Sequence, residues 1–347
     1  MLRMKFTALG RLGRIGMAPL TISVPLLGAF TVGEPLALHE LLGLGGIGLC
    51  AHVFGFALND IIDQPLDRIV PDRQQHPLVT GQMSRLEAWV FVLIQAPLAL
   101  SIYKALGGAN PGLAVLSLSI GLSVIYNLWS KRGRLPRLLP EVALALSIGL
   151  LCLAGAMLKI AHPPAPSLLY AITLTLVLLL LNSVASGLKD LKTDAAFGAT
   201  SFALSAGCRI LDEDEIDIAK RLWLYSAGLQ SAILVCLLVL LKLFDSGWPA
   251  SVLVCGLGLY AALHLRMILT LRSFAAVRRS MPLLNGYYNY AALALVVAAE
   301  MPIGLRALCG VLVLSLFIIP WRLSWHMVTT STPPVSFRHT PRSRHRR

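Results

Sequence analysis

Long apolar runs, each followed by a short polar stretch, are the dominant pattern along this chain. Each run is about as long as the roughly 20 residues that cross a bilayer as one helix. We therefore predict an all-α fold, a polytopic transmembrane helical bundle. The predicted spans are 15–33, 41–62, 84–103, 110–130, 140–160, 167–188, 220–243, 249–271, 284–300 and 303–321.

Composition supports this class and excludes a soluble globular domain. The 347 residues are 56% hydrophobic and only 14% charged, whereas average soluble chains carry about 25% charged residues. The first run follows Arg3, Lys5, Arg11 and Arg14. It lacks the short core and the small-residue cleavage site of a signal peptide, so we expect an uncleaved first helix.

The net charge of +13 is explained by membrane topology rather than by nucleic acid, which we do not expect as a partner. Connections were assigned to alternate sides, starting with the N-terminus inside. Of the 30 Lys and Arg residues, 26 then fall on the inner side, and Lys104, Lys159, Lys242 and Arg306 on the outer side. The positive-inside rule therefore predicts a cytoplasmic N-terminus.

We expect residues 1–325 to form a single transmembrane domain in the lipid bilayer. Residues 326–347 are mainly Thr, Ser, Pro, His and Arg, a composition typical of a disordered basic tail. The six cysteines are scattered, without a C-x-x-C pair. We interpret them as small buried hydrophobic residues rather than as disulfides or metal ligands.

The first candidate for chemistry is an acidic stretch at residues 58–68, where an apolar run ends. If the helix continues through it, Asn59, Asp63 and Asp67 share one face, with Asp60 one step round. Such a stretch could be only a solvated loop beyond a membrane helix. However, clustered carboxylates repel each other unless a cation joins them, and Mg²⁺ prefers carboxylate and amide oxygens and commonly binds together with substrate phosphates.

A second acidic pair, Asp190 and Asp194, has the four-residue spacing of one helical face. Opposite the first group, it would complete two walls able to hold two or three Mg²⁺ ions around a diphosphate. Five unpaired carboxylates at membrane depth would each cost about 2.5–3.5 kcal/mol, so a chance arrangement is a poor explanation. Candidates for contacts with phosphate oxygens are Lys131, Lys189, Lys192, Arg68 and Arg73.

A third acidic run, at residues 212–217, has a different interpretation. Acidic side chains favour helix N-termini, and this run precedes the predicted helix at 220–243. We therefore expect it to decorate the first turn of that helix rather than to bind metal.

These motifs resemble those of the UbiA superfamily of intramembrane prenyltransferases, over about residues 15–300. The shared features are N-D-x-x-D-x-x-x-D from Asn59, D-x-x-x-D from Asp190, and the segment with Tyr126 and Lys131-Arg132. The resemblance implies a core of nine helices and a Mg²⁺–diphosphate site made by Asn59, Asp60, Asp63, Asp67, Asp190 and Asp194. It also implies that Lys131, with Tyr126 and Arg73, steadies the diphosphate or promotes its departure.

The resemblance further implies the substrates, a prenyl diphosphate and a lipophilic acceptor, by default an aromatic or quinone precursor. Two other functions remain open: a terpene cyclase that needs no acceptor, and a non-catalytic transporter or partner with the same fold. The chain departs from the family twice. His76-Pro77 stands where many members have Arg-Pro, and the charge pattern favours a tenth helix at 303–321.

Overall fold

The computed structural model describes residues 2–68, 73–130, 138–198, 201–244, 247–284, 286–298 and 301, and these residues are mainly helical. A single 3₁₀ turn, Ile15–Met17, leads into the second helix, and a π-helical turn, Leu181–Ser186, separates the eighth helix from the ninth. The helices are α1 Leu2–Leu12, α2 Ala18–Phe30, α3 Leu38–Asp67, α4 Arg85–Leu93, α5 Gln95–Ala105, α6 Asn110–Trp129, α7 Leu138–Ala156, α8 Ala165–Leu180, α9 Gly187–Phe197, α10 Phe202–Ser205, α11 Lys220–Leu243, α12 Gly247–Thr270, α13 Phe274–Leu284 and α14 Tyr287–Ala298.

The prediction of an all-α membrane protein is confirmed. In the part of the chain that the structure describes, six helices are long and apolar enough to cross a membrane, and three shorter apolar helices accompany them. Sequence patterning missed α1 and α13, which are amphipathic and carry several basic residues. The predicted tenth helix at 303–321 and the tail at 326–347 lie outside the described residues.

The two helices that carry the acidic motifs are the longest. α3 has 30 residues, and the continuous helical segment Ala165–Ala196 has 32. At 1.5 Å per residue each is about 45 Å long or more, whereas the hydrocarbon core of a bilayer is about 30 Å thick. The apolar pattern predicts that the corresponding spans end at residues 62 and 188; both helices continue past these residues, and the acidic motifs lie at their extended ends.

Close packing of backbones holds α2 between α3 and α7. A β-carbon added to Gly28 would lie 1.8 Å from the carbonyl oxygen of Cys152, and one added to Gly155 would lie 1.9 Å from that of Pro25. Gly48 of α3 meets the backbone of Thr21 in the same way, at 2.7 Å. Membrane helices pack through small residues because apolar side chains gain little by leaving lipid.

One ion pair joins α3 and α7 at the end of the bundle opposite the acidic motifs. The Lys159 ammonium donates to both carboxylate oxygens of Glu40, at 2.7 Å each. Glu40 also accepts a hydrogen bond from the backbone nitrogen of Ala37 at 2.8 Å, which caps the start of α3. This pair links the first turn of α3 to the segment directly after α7.

A small hairpin covers the motif-bearing end of the bundle. Its strands, β1 Arg209–Ile210 and β2 Ile216–Asp217, pair antiparallel. The acidic run at 212–217 was predicted to decorate the first turn of α11, and this prediction is wrong. The run forms the hairpin turn and caps α13 instead: Asp214 accepts hydrogen bonds from the backbone nitrogens of Phe274, at 2.9 Å, and Ala275, at 3.1 Å.

The cysteines that the structure describes with side chains agree with their predicted role. Cys50, Cys152, Cys208 and Cys236 are free, and the first three are buried. Burial raises the pKa of the Cys208 thiol, which lies in the loop before β1. A buried thiol with a raised pKa is poorly reactive, as expected for a small packing residue.

The close approach of α2 and α7 gives a test of the packing. We expect Gly28→Ala to lower the free energy of unfolding by about 1–3 kcal/mol, because even one methyl group overfills this contact. Gly121→Ala is the matched control, since nothing lies within 4 Å of a β-carbon at that helical position. Thermal melting of both variants in detergent measures the difference; equal melting temperatures would contradict the packing described.

Candidate functional site

The first motif occupies the last two turns of α3. Asn59, Asp63 and Asp67 share one helical face because they are four residues apart. Asp63 and Asp67 are only 8% and 6% exposed. The Oδ2 atom of Asp67 is buried and has no hydrogen-bond partner among the described residues, while the Nε atom of Arg73 is 4.0 Å from its Oδ1. Arg68, predicted to bind substrate, is exposed just after α3.

Asp60 has different contacts from those predicted. It is 1% exposed, one oxygen accepts a hydrogen bond from the Arg14 guanidinium, and the other is 3.1 Å from the Nε2 atom of His76. It lies about 100° round the helix from Asn59. Both Asp60 oxygens therefore have protein partners, and the grouping of Asp60 with the metal ligands stays a prediction. Similarly, His76 contacts Asp60 rather than an open part of the site.

Arg14 anchors the N-terminal segment to this end of α3. It has φ 44°, a left-handed conformation that is uncommon for a residue other than glycine. Its carbonyl oxygen is 3.2 Å from His52 Nε2, and its guanidinium lies 4.9 Å from the centroid of the Phe56 ring. Sequence analysis missed the roles of Arg14 and His52 because single residues without regular spacing give no motif.

The loop after α3 folds back onto the same end. Gln64 donates a hydrogen bond to the carbonyl oxygen of Leu78 at 2.9 Å, and Arg11 of α1 donates to that of Gln75 at 2.6 Å. Helix α1, the loop and α3 are thereby tied together. These contacts hold His76 and Arg14 on either side of Asp60.

The second motif lies on α9, and its two lysines differ. Lys189 Nζ is 3.6 Å from Asp190 Oδ1, but both side chains are about half exposed, so this pair stabilises little. Lys192 instead donates to the carbonyl oxygen of Glu213 in the hairpin at 2.8 Å and lies 5.8 Å from the Phe274 ring. Lys192 was predicted to bind substrate; the structure shows it joining α9 to the hairpin and α13.

A polar side-chain network that sequence analysis missed lies between the two motifs. Asn182 donates a hydrogen bond to Glu141 at the start of α7, and it also hydrogen bonds with Tyr126 of α6. Tyr126 interacts electrostatically with both Asp63 and Asp190. Carboxylates 127 positions apart in sequence therefore interact with one tyrosine, and the two-wall arrangement stays a prediction.

Asn182 owes its position to the π-helical turn Leu181–Ser186, directly before the second motif. Such turns hold an extra residue and occur frequently at functional sites. The turn is not predictable from the apolar pattern, because residues 167–188 have the composition of an ordinary span.

Of the aromatic residues near the motifs, Phe54 is buried in the packing of α3 and Phe202 contacts the Tyr225 ring with centroids 4.6 Å apart. Trp129 is partly exposed at the end of α6. The predicted site residue Lys131 lies outside the described residues.

Comparison with known families identifies the chain. A family model described as the UbiA prenyltransferase family matches residues 19–285. The chain belongs to the UbiA prenyltransferase family. The resemblance inferred from the acidic motifs is thereby confirmed.

Curated relatives of this UbiA-family protein match it in part. Protoheme IX farnesyltransferase of Hahella chejuensis (strain KCTC 2396) is 35% identical over 121 residues, which are 34% of this chain and 39% of the relative. The chloroplastic 2-acylphloroglucinol 4-prenyltransferase of Humulus lupulus is 28% identical over 184 residues, 51% of this chain and 43% of the relative. The matches thus span about two fifths of the length of these relatives.

Solved structures of UbiA homologs show the same fold. The apo structure of the homolog from Aeropyrum pernix K1 has a TM-score of 0.64 at 20% identity, covering 82% of this chain and 97% of that one. The homolog from Archaeoglobus fulgidus bound to GPP and Mg²⁺ has a TM-score of 0.54 at 16% identity, covering 91% and 99%.

The oxygen donors of this UbiA-family site suit a hard divalent cation. Asn59, Asp63, Asp67, Asp190 and Asp194 offer carboxylate and amide oxygens, and the buried, unpartnered Oδ2 of Asp67 needs a cation or a donor. Among the described side chains, no three His, Cys, Asp or Glu residues surround one point. Mg²⁺ characteristically binds through one or two carboxylates together with substrate phosphates, so the two segments fit an ion shared with a diphosphate.

The contrast between Asp67 and Asp60 can be tested without an enzymatic assay. We expect Asp67→Asn to weaken Mg²⁺ binding, because Mg²⁺ prefers charged oxygens. The melting temperature of the purified protein is followed in inorganic diphosphate at increasing Mg²⁺ concentration. The Mg²⁺ concentration that gives half of the maximal stabilisation should rise by about 10-fold or more. We expect Asp60→Asn to lower the melting temperature, since it leaves Arg14 unpaired, and to leave the Mg²⁺ requirement unchanged. An Mg²⁺ requirement that responds to Asp60 and not to Asp67 would reverse the assignment.

Proposed function

We propose that this protein is a Mg²⁺-dependent prenyltransferase of the membrane, which moves a prenyl group from its diphosphate to a lipophilic acceptor. The observation that carries the proposal is that Asp63 and Asp190, one from each acidic segment, both interact electrostatically with Tyr126. Two acidic segments at one end of a membrane bundle are suited to a Mg²⁺–diphosphate and have no evident use in a purely structural protein. The names of the curated relatives and the GPP and Mg²⁺ in a UbiA-fold structure support this chemistry.

Within this proposal, five side chains hold Mg²⁺ and the diphosphate: Asn59, Asp63, Asp67, Asp190 and Asp194. Bound Mg²⁺ would neutralise negative charge on the departing diphosphate. Arg73 beside Asp67 and Lys189 beside Asp190 place one cationic side chain next to each acidic segment. They are positioned to contact phosphate oxygens, and we propose the same role for Lys131.

Asp60 is a positioning residue in this proposal. Arg14 and His76 compensate its charge, so it joins α1 and the loop after α3 to the helix that carries the metal ligands. Lys192 has the corresponding role at the second motif, where it joins α9 to the hairpin.

The apolar helices contribute by excluding water. A prenyl group that loses diphosphate becomes an allylic cation, and water would capture it in an open site. The acidic residues lie where the overlong helices leave the hydrocarbon. A prenyl chain extending from them into the bundle would therefore enter a dry environment.

The mechanism predicts the outcome of neutralising each acidic segment. We expect Asp63→Asn and Asp190→Asn each to reduce diphosphate release from geranyl diphosphate by about 10²-fold or more, since each removes charge that a hard cation requires. The double variant should be little worse than either single variant, because residues that act as one unit are not additive. Glu213→Gln, an exposed acid in the hairpin, is the control and should retain full activity.

The same assay separates the alternatives. Release of diphosphate only when a phenol or other acceptor is present supports a transferase. Release with prenyl diphosphate alone, accompanied by a cyclic hydrocarbon, would support the cyclase. Near-normal activity in either single variant, or activity that persists in EDTA, would contradict the mechanism.

We further propose that the acidic ends of the helices face the cytoplasm, as the distribution of Lys and Arg indicates. We expect Glu213→Cys in the hairpin to react with a membrane-impermeant maleimide only after cells are permeabilised. Ala109→Cys, exposed in the connection between α5 and α6, should react in intact cells. The opposite pattern would invert the proposed orientation.

A further inference from the structure

Glu141 is a carboxylate that the proposed metal site does not use. It lies in the first turn of α7, a helix apolar enough to cross a membrane. The side chain of Asn182 donates a hydrogen bond to its Oε2 atom. Its other oxygen, Oε1, accepts no hydrogen bond from the residues that the structure describes, and no Lys, Arg or His among them forms a salt bridge with it.

The surroundings of Glu141 place it beside the proposed reaction rather than in the packing of the bundle. Asn182 connects it to Tyr126, which approaches Asp63 and Asp190. Glu141 also interacts electrostatically with Asp194 and with Tyr225 of α11. It is therefore close to both acidic segments without being part of either motif.

A carboxyl group in a membrane-spanning helix lowers the stability of the protein, so its presence at this position points to a function. Ionisable residues within membrane-spanning helices are expensive and commonly mark functional sites. Glu40, the comparable carboxylate at the opposite end of the bundle, is compensated by two contacts with Lys159. Glu141 has one neutral amide donor, carried by a π-helical turn that presents Asn182 to it.

We infer that Glu141 is the acceptor-binding residue of this enzyme: Oε1 receives a hydrogen bond from a hydroxyl group of an uncharged acceptor, while Asn182 holds Oε2. The inference rests on the proposed function and specifies its second substrate. A carboxyl oxygen can accept a hydrogen bond, so Oε1 favours a substrate that donates one. An acceptor that carries its own carboxylate would bring a second acidic group close to Glu141, so it is disfavoured.

A matched pair of probes tests this selectivity. 4-Hydroxyacetophenone and 4-hydroxybenzoate have similar size and share the phenol, but only the second is an anion at neutral pH. Their binding is measured by equilibrium dialysis against the purified protein loaded with Mg²⁺ and the unreactive geranyl thiolodiphosphate. Empty micelles of the same detergent provide the correction for partitioning.

We expect the wild-type protein to bind the neutral phenol about 10-fold more tightly than the anion, because both donate the phenol hydrogen bond but only the anion brings a second carboxylate close to Glu141. Glu141→Gln retains the size and the contact with Asn182 but removes the charge. It should weaken binding of the neutral phenol and reduce the preference to about 3-fold or less. Glu40→Gln is the matched control and should keep the wild-type preference.

The outcomes separate this inference from the function on which it rests. Failure of the wild-type protein to bind the thiolodiphosphate in Mg²⁺ would contradict the proposed function. Three results obtained with normal thiolodiphosphate binding would overturn the role of Glu141 alone. They are equal binding of the two phenols, binding of neither phenol, and an unchanged preference in the Glu141→Gln protein. If the Glu141→Gln protein required about 10-fold more Mg²⁺ to bind the thiolodiphosphate, Glu141 would be a metal ligand, and this result would also overturn its role in acceptor binding.

Discussion

The architecture depends on one electrostatic constraint: carboxylates must be concentrated enough to share cations, yet they cannot remain uncompensated in hydrocarbon. α3 and the helical segment Ala165–Ala196 meet it by exceeding the thickness of the bilayer core. Their apolar parts are long enough to cross a membrane, and their acidic ends lie at the same end of the bundle. The remaining elements at that end, α1, the loop after α3 and the hairpin, hold these projecting ends in place.

The first motif shows that adjacent acids on one helix can have different tasks. Asp63 and Asp67 share one helical face with Asn59, whereas Asp60 is rotated into contacts with Arg14 and His76. A sequence motif counts all of these residues alike. The distinction requires the positions of α1 and of the loop, which come from distant and unpatterned parts of the chain.

Sequence reasoning was strongest where the signal was repeated and local. Apolar runs located most spans, and four-residue spacing placed Asp63 with Asp67 and Asp190 with Asp194. It was weakest where one residue acts across the fold. Glu141 is an acid at the start of an apolar span and Asn182 an amide within one, but neither belongs to a spaced motif. Lys192 was assigned to phosphate because of its neighbours, and the acidic run of the hairpin caps a helix about 60 positions later. Charge and spacing predict which residues attract a cation, but tertiary contacts decide which of them already have a partner.

The π-helical turn at Leu181–Ser186 sets how far the second part of a long helix is rotated about its axis relative to the first part. An extra residue rotates everything beyond it by about 100° relative to an uninterrupted α-helix. If one residue were lost from this turn, every motif residue would still be present in the sequence and α9 would still be helical. Asp190 and Asp194 would, however, face away from Tyr126. A family member with such a deletion could keep every residue of the acidic motifs and still be unable to assemble its site. The rotation of α9 about its axis would then predict an intact site better than the presence of the motif residues does.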